Sequence, residues 1–582
     1  MNLFKNKCNI VMAIGINTLF LALALLFCDI KYEVSDDFVM ATILSGAYGE
    51  SPDPQMIFVN TLLGYFLLPF YYIFPSISWY LVFQLVLCLV SFILVTYMLL
   101  ERLNRYIAVL IILLLLTMFS DDVYILPQFT KTAMLAVMAG GLVFLWTILY
   151  KKSKLLLILS SLVCVAGTLI RFSTIYIAGG FIIFILLLEY YALIKKKKYK
   201  SLILTTILGG VLIGSVVAFH LVNIYTYQND SASDYFRRYN TARGKIVDQI
   251  DYGYEAYESE LKKIGISETD YYILKGWSFG DDEYFDLEKM EKIAAIITEY
   301  NSSQKIDWGD LYEQIQERKI LNYPVFWACA IILAMSIICQ KKSYRYILVF
   351  GIGLLFEVYF FVAGRVVYRV EYGIFLSVFL ASVFLWKNEN SRLDFNNYDT
   401  QKVISILSVI IFLVQIPIYI PDNSYKSIDK ENRKEYIDSI FGNSWDYNAL
   451  KYRKVVNYEK QLNGLIEEIE EHPENFYFLD FGTTIQSLYF EWSPFQNLPI
   501  GYYNNNLYLA GITSNLPSVN YILENRGIKS PLKDLVKDNI YLVDNYNLQL
   551  KLDYIREHYY PNVKADLYKE VGGYQIWKFY LE

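Results

Sequence analysis

Two pairs of adjacent acids are the residues best suited to chemistry in this chain. The first lies in "EVSDDFVM" (33–40) and the second in "MFSDDVYILPQFTKTAM" (118–134), each directly after an apolar run. Asp36 with Asp37, and Asp121 with Asp122, repel when both members are ionised, so each pair invites a cation or a raised pKa. At a bilayer edge, partial loss of water pushes the same way. A carboxylate tuned in this manner can serve as general base on a hydroxyl nucleophile. Oxygen ligands alone suit a divalent cation such as Mg²⁺ or Mn²⁺, with Asp36 and Asp37 as its ligands. The second pair would complete that metal site or assist an acceptor. The plainer reading of either pair is solvated acid ending a helix.

Four cations complete the set. Lys131 opens an apolar run, where a positive charge opposes the helix dipole and points to an anionic ligand. Arg171 lies in "TLIRFSTIY", and Arg365 and Arg369 in "VAGRVVYRVEYG". The last two are one helical turn apart, and arginine holds phosphate bidentately. Contact with lipid headgroups, a snorkelling lysine or an internal salt bridge would explain the same residues without function.

These residues matter only if one structure gathers them. The chain has 582 residues, 55% of them hydrophobic, and a mean hydropathy of +0.30. That is the composition of a polytopic helical membrane protein. Crossing the hydrocarbon core takes about 20 apolar residues. Candidate spans fall at about 9–28, 79–100, 106–119, 131–150, 155–170, 174–194, 201–222, 324–340, 345–363, 371–387 and 402–420. With these eleven, every basic cluster (Lys5/Lys7, Arg102/Arg105, Lys151/Lys152/Lys154, Lys195–Lys198 with Lys200, Lys341/Lys342/Arg345) falls on one side. The positive-inside rule makes that side cytoplasmic, with the N-terminus inside and the C-terminus outside. Both acid pairs and all four cations then face outward.

The segment 55–74, "QMIFVNTLLGYFLLPFYYIF", is apolar enough to cross, but counting it would spoil the alternation. Asn60, Thr61 and Gly64 share one side and Pro69 interrupts it, so the segment is expected to lie in the outer interface. The glycines of "GVLIGSVVAFH" are expected to serve helix packing. A polar loop (223–323) shows helical charge spacing in "EAYESELKKIG" and "DLEKMEKIAAIITEY". The tail (421–582) alternates helices (458–471, "SVNYILENRGI", "LQLKLDYIREHYY") with strands (475–481, 539–545, 574–581), a small α/β domain. Residues 1–420 thus form a membrane domain and 421–582 an outer domain. The six cysteines all lie in or beside apolar runs, so the polar segments hold no disulfide. Three histidines argue against a zinc centre. A net charge of −6 without a basic face excludes nucleic acid as a partner.

The arrangement resembles the GT-C superfamily of polytopic membrane glycosyltransferases, with protein O-mannosyltransferases and aminoarabinose transferases nearest in layout. Those enzymes carry an acidic motif just after the first span, as Asp36-Asp37 stands here. An interfacial helix follows, matched by "ESPDPQMIFVNTLLGYFLLPFYYIFPSISWY". The resemblance covers the layout of roughly 9–420. The histidine-proline pair of O-mannosyltransferases is absent, with Asp53-Pro54 near its place. The Lys/Ile/Tyr/Asn-rich composition resembles polytopic proteins of low-GC Gram-positive bacteria. The resemblance implies inverting transfer of a sugar from a polyprenyl-phosphate donor to an acceptor in the cell envelope. Asp36 or Asp37 would be the base, with Asp37 preferred and a divalent ion as an optional aid. Lys131, Arg365 and Arg369 would hold the lipid phosphate, assisted by Arg171. Trp277 could stack on sugar or pack the loop's own core. Two other readings compete. One is a transporter or flippase for lipid-linked sugars, for which Glu189, Glu357 and His220 are the polar groups within spans. The other is a non-enzymatic membrane protein that displays its outer segments.

Overall fold

The computed structural model describes residues 2–28, 30–304, 308–317, 320–364, 367–395, 397–419, 459–484, 493–509 and 511–582. Apolar runs become long helices because lipid offers no partner for backbone N–H and C=O groups, and a helix pairs them internally. Among the described residues eight helices are long and apolar enough to cross a membrane. They lie within α1 (Asn2–Phe27), α4 (Trp79–Arg102), α5 (Arg105–Tyr124), α6 (Phe129–Trp146, continued by a π-turn to Lys151), α8 (Thr174–Lys195), α9 (Tyr199–Gln228), α16 (Tyr344–Val362) and α17 (Tyr368–Leu385). Three further apolar helices are shorter: α3 (Thr61–Ile73), α7 (Lys154–Ile170) and α15 (Pro324–Cys339). Helix α18 (Tyr398–Tyr419) covers the last expected span.

Helix α6 is the axis of the bundle and is buried along its length. Small residues let α7 approach it: a Cβ on Gly140 would meet the Cys164 backbone nitrogen at 2.6 Å, and one on Gly167 would meet Ala133 O at 2.9 Å. This is how apolar helices associate where lipid supplies no hydrophobic drive. The glycines of α9 differ from expectation. Nothing lies within 4 Å of a Cβ built on Gly209, Gly210 or Gly214, because that helix runs along the rim with most of its surface open.

Side-chain contacts sort the helix ends into two sets. At one end Asn9 donates to Glu101 at 2.7 Å, Lys387 pairs with Glu189 at 3.1 Å, and Arg102 donates to Phe384 O at 2.6 Å. This is the basic end. The other end collects both acid pairs.

Helix α3 lies across that second end. At its start Asn60 donates to Phe219 O at 3.0 Å, and Thr61 N to Asn223 Oδ1 at 2.8 Å, both near the end of α9. At its finish the Tyr71 hydroxyl accepts from Tyr80 N, at the start of α4. Both ends of α3 therefore sit at the same end of the bundle. Its polar side faces inward: Thr61 and Gly64 are buried, and Gly64 passes so close to Pro54 that a Cβ would fall 2.0 Å from its carbonyl oxygen. Its aromatic side faces outward, with Phe66 57%, Tyr72 62% and Ile73 65% exposed. An outward apolar face suits lipid, not water.

Beyond this end the polar loop folds into α10 (Ser231–Val247), α11 (Tyr254–Lys263), α12 (Glu268–Lys275), α13 (Leu287–Ser303) and α14 (Trp308–Glu317). The tail forms a five-stranded sheet of order β2-β1-β3-β5-β4, from β1 (Phe476–Asp480), β2 (Asn506–Leu509), β3 (Ile540–Val543), β4 (Val563–Val571) and β5 (Tyr574–Leu581). Strands β2, β1 and β3 are parallel, and β4 and β5 antiparallel. Helix Glu459–Glu471 precedes β1, and helices Pro517–Asn525 and Leu548–His558 intervene between strands. The two apolar strands "FYFLD" and "IYLVD" pair in register, so Asp480 and Asp544 meet at their ends. Lys551 sits between them, 2.6 Å from each carboxylate and fully buried. Burial works against its charge, but the two carboxylates outweigh burial and hold its pKa above the ordinary value.

The tail docks both on the segment 46–78 and on the polar loop. Ser78 N donates to Phe495 O, Gly501 N to Gly46 O, and Tyr48 stacks on Tyr503 at 4.2 Å. Asp281 of the loop accepts from Ser530 at 2.8 Å and from Tyr554 and Tyr559 at 2.6 Å each. Trp277 stacks on Phe481 at 4.9 Å and lies 5.2 Å from the Arg243 guanidinium, so it packs this junction.

Candidate active site

Neither acid pair is a solvated loop. Ser35 starts helix α2 (Ser35–Ser45), which puts Asp36 and Asp37 in its first turn, where the dipole favours negative charge. Helix α5 runs on past its expected end and takes in Asp121 and Asp122, 1% and 0% exposed. The chain on either side joins the two pairs directly: Lys31 N donates to Ile125 O at 3.0 Å, and Glu33 N to Pro127 O at 3.2 Å.

Asp37 is fully buried. It accepts from the Tyr80 hydroxyl at 3.0 Å, Gln84 Nε2 at 2.9 Å and Phe129 N at 3.1 Å. The last is the first N–H of α6, so Asp37 ties α2, α4 and α6 together. Burial pushes its carboxyl up to about 7, with the Asp36 charge adding to the rise and its hydrogen bonds opposing it. Asp36, its neighbour, is only half-buried.

Lys131 is fully enclosed. Its ammonium lies 2.5 Å from Glu33 and 3.3 Å from Asp122. The Tyr368 hydroxyl donates to the other oxygen of Asp122 at 2.9 Å, and Tyr372 donates to Phe119 O at 3.1 Å. The expected phosphate ligand is thus engaged by two carboxylates and shielded from any lipid headgroup. Glu33 and Asp122 pair with this ammonium, and Asp37 and Asp121 are buried at the same end of the bundle.

Arg171 is half-buried at the end of α7. Its guanidinium lies 4.8 Å from the Phe129 ring, and its Nε donates to Ser173 at 3.2 Å. Phe58, from the segment leading into α3, stacks on the same Phe129 ring at 5.9 Å. Arg369 is half-buried in the first turn of α17, next to Tyr368. Arg365 lies outside the described residues. The structure therefore brings both acid pairs, Lys131 and Arg171 to one end of the bundle around the start of α6, and puts Arg369 one residue from the same network.

Glu33, Tyr80, Gln84, Tyr368 and Tyr372 were not marked by the sequence reading. Gln84 carried a usable signal, since a polar side chain inside an apolar span calls for a partner. Tyr368 and Tyr372 stand four apart in "YRVEY", one turn of one helix face.

The donor set fits a divalent ion poorly. Asp37 already serves three donors, which leaves Asp36 alone of the first pair. Among the described residues, Asp270, Glu557 and His558 form the group of three metal-type ligands with atoms within 4.8 Å of one another. Those residues belong to the loop–tail junction, where His558 Nε2 lies 2.6 Å from Asp270 Oδ1, and Tyr284 donates to Oδ2 at 2.9 Å. Glu189, a candidate for transport, is engaged at the basic end by Lys387 and by Tyr150 at 2.5 Å. No family model matches the chain, and no curated protein or solved structure matches it either.

Proposed function

We propose that the protein is a membrane glycosyltransferase of GT-C type. It moves a sugar, with inversion, from a polyprenyl-phosphate-linked donor to a hydroxyl of a cell-envelope polymer, lipid or protein. The observation that carries the reading is the half-buried Asp36, held beside the sealed Asp37 and the Lys131–Glu33–Asp122 cluster at one end of the bundle and flanked by the in-plane helix α3. In this reading α7, α15 and α18 also cross, giving eleven spans. The basic end is cytoplasmic and the Asp37 end outside, in the cell membrane of a bacterium.

Asp36 accepts the proton of the acceptor hydroxyl as its oxygen bonds to the sugar's anomeric carbon. The bond from that carbon to the phosphate oxygen breaks, and polyprenyl phosphate leaves with the electron pair. Arg171 and Arg369, with Arg365, stabilise the departing phosphate, which is electrostatic work suited to preorganised cations. Lys131 and Asp37 are positioning residues. They fix α2, α5 and α6 so that Asp36 points at the acceptor. Asp121 and Asp122 belong to the same scaffold. No step passes through a metal.

The test is turnover of radiolabelled polyprenyl-phosphate hexoses by the purified chain in proteoliposomes supplied with envelope acceptor. Labelled acceptor is the expected result. No transfer and no donor consumption across a panel of hexose and N-acetylhexosamine donors would sink the reading.

A further inference from the structure

A cleft of about 50 Å³ opens where the outer loop meets the tail sheet. Phe279, Gly280 and Asp282 form one wall, and Tyr508, Asn515, Asn520 and Lys529 the other. Apolar side chains such as Leu507, Leu509 and Val519 complete the lining, so the polar groups are few and sit on an apolar floor. Asn515 is 5% exposed and donates to Asp282 Oδ1 at 2.8 Å. Burial raises the Asp282 carboxyl to about 6. Backbone strain lies on one wall: Asn515 has φ +64°, whereas Gly280, at φ +103°, adopts its conformation freely. Strain of that kind persists where the surroundings over-determine it and clusters at binding sites.

The chemistry of the lining narrows the ligand. One carboxylate with one lysine supplies neither the paired cations a phosphate needs nor a ligand shell for a metal. The second acid nearby, Asp281, is taken up by Ser530, Tyr554 and Tyr559. The amides of Asn515 and Asn520 offer donors and acceptors together, as vicinal hydroxyls require. Phe279 and Tyr508 supply aromatic surface for the C–H face of a ring. The volume holds a few waters, at roughly 10–15 Å³ each, so it takes the edge of a ring with the rest lying across the mouth.

We propose that this cleft binds one saccharide unit, edge-on, between the outer loop and the tail. The inference stands apart from the transfer reading and holds whether or not Asp36 is a base. Bound sugar would also bridge loop and tail.

The test uses the full chain in nanodiscs and saturation-transfer NMR with glucose, galactose, mannose, N-acetylglucosamine and chitobiose. At least one should bind, about tenfold more weakly in Asp282→Ala, as expected for losing a hydrogen bond to a charged group. Asn520→Ala should weaken it too and leaves the Asn515–Asp282 contact intact, so it decides the matter if Asp282→Ala loosens the junction. Hydrogen exchange should slow at 278–283 and 511–520 with sugar present. Silence from all five sugars at tens of millimolar, or binding that Asn520→Ala leaves unchanged with no exchange protection, overturns the proposal.

Discussion

Replacing Asp37 tests the scaffold reading most sharply, because alanine and asparagine should part company. The carboxylate satisfies three buried donors: Tyr80 Oη, Gln84 Nε2 and Phe129 N. Asp37→Ala strips all three, and a buried donor left without a partner costs about 1–3 kcal/mol. The loss should be on the order of 3–6 kcal/mol once water partly fills the gap. Asp37→Asn keeps an acceptor in the same place and should cost far less. The pH dependence has a definite sign. The folded carboxyl sits at about 7 against an ordinary 3.8, so between those values the folded state binds more proton than the unfolded one. Stability should therefore fall as pH rises from about 4 to about 7 and then level off. The drop has an upper limit of about 4 kcal/mol, at 1.36 kcal/mol per pH unit. Asp37→Asn should abolish this slope. Intrinsic-fluorescence melting of detergent-solubilised protein across that range reads both effects. Equal melting of the alanine and asparagine variants, or a slope that survives Asp37→Asn, would refute the reasoning.

Lys131→Met should destabilise by roughly 3–5 kcal/mol, since it leaves Glu33 and Asp122 buried without their cation. Adding Asp122→Asn should recover part of the loss in the same melting assay. Lys551→Met should cost a similar amount but locally, opening the tail between Asp480 and Asp544, read as faster hydrogen exchange in β1 and β3 with the membrane bundle unaffected. In a cysteine-free background, Ser51→Cys and Ser76→Cys flank α3 and should react with a membrane-impermeant maleimide from the same face. Labelling from opposite faces would mean that α3 crosses the membrane.

Much of this architecture is legible in the sequence because lipid leaves few choices. The apolar runs had to become helices, and the stretches holding "FYFLD" and "IYLVD" read as strands, though their parallel pairing shows only in the structure. Strand β4, "VKADLYKEV", escaped notice because it is an edge strand with most side chains exposed, so little burial disciplines its pattern. Strand β2 is four residues inside an asparagine-rich stretch. That Asp36, Asp37, Asp121, Asp122, Lys131 and Arg171 belong at one end of the bundle was readable, since charge at a helix end needs a reason. Their side-chain contacts were not. Whether Lys131 faces a ligand or two carboxylates depends on Glu33, distant in sequence and brought close only by the backbone pairing of 31–33 with 125–127. The preference for Asp37 over Asp36 met the same limit. Adjacent residues of one helix turn face different surroundings, and only packing says which is sealed.

The most direct measurement compares Asp36→Asn with Asp37→Asn for transfer from the polyprenyl-phosphate donor that wild type uses best. Loss of a general base is worth about 10²–10⁴ in rate. The account predicts a loss of that size for Asp36→Asn with unchanged melting temperature, and less than about tenfold for Asp37→Asn, which keeps the scaffold's acceptor. Full activity in Asp36→Asn would contradict it.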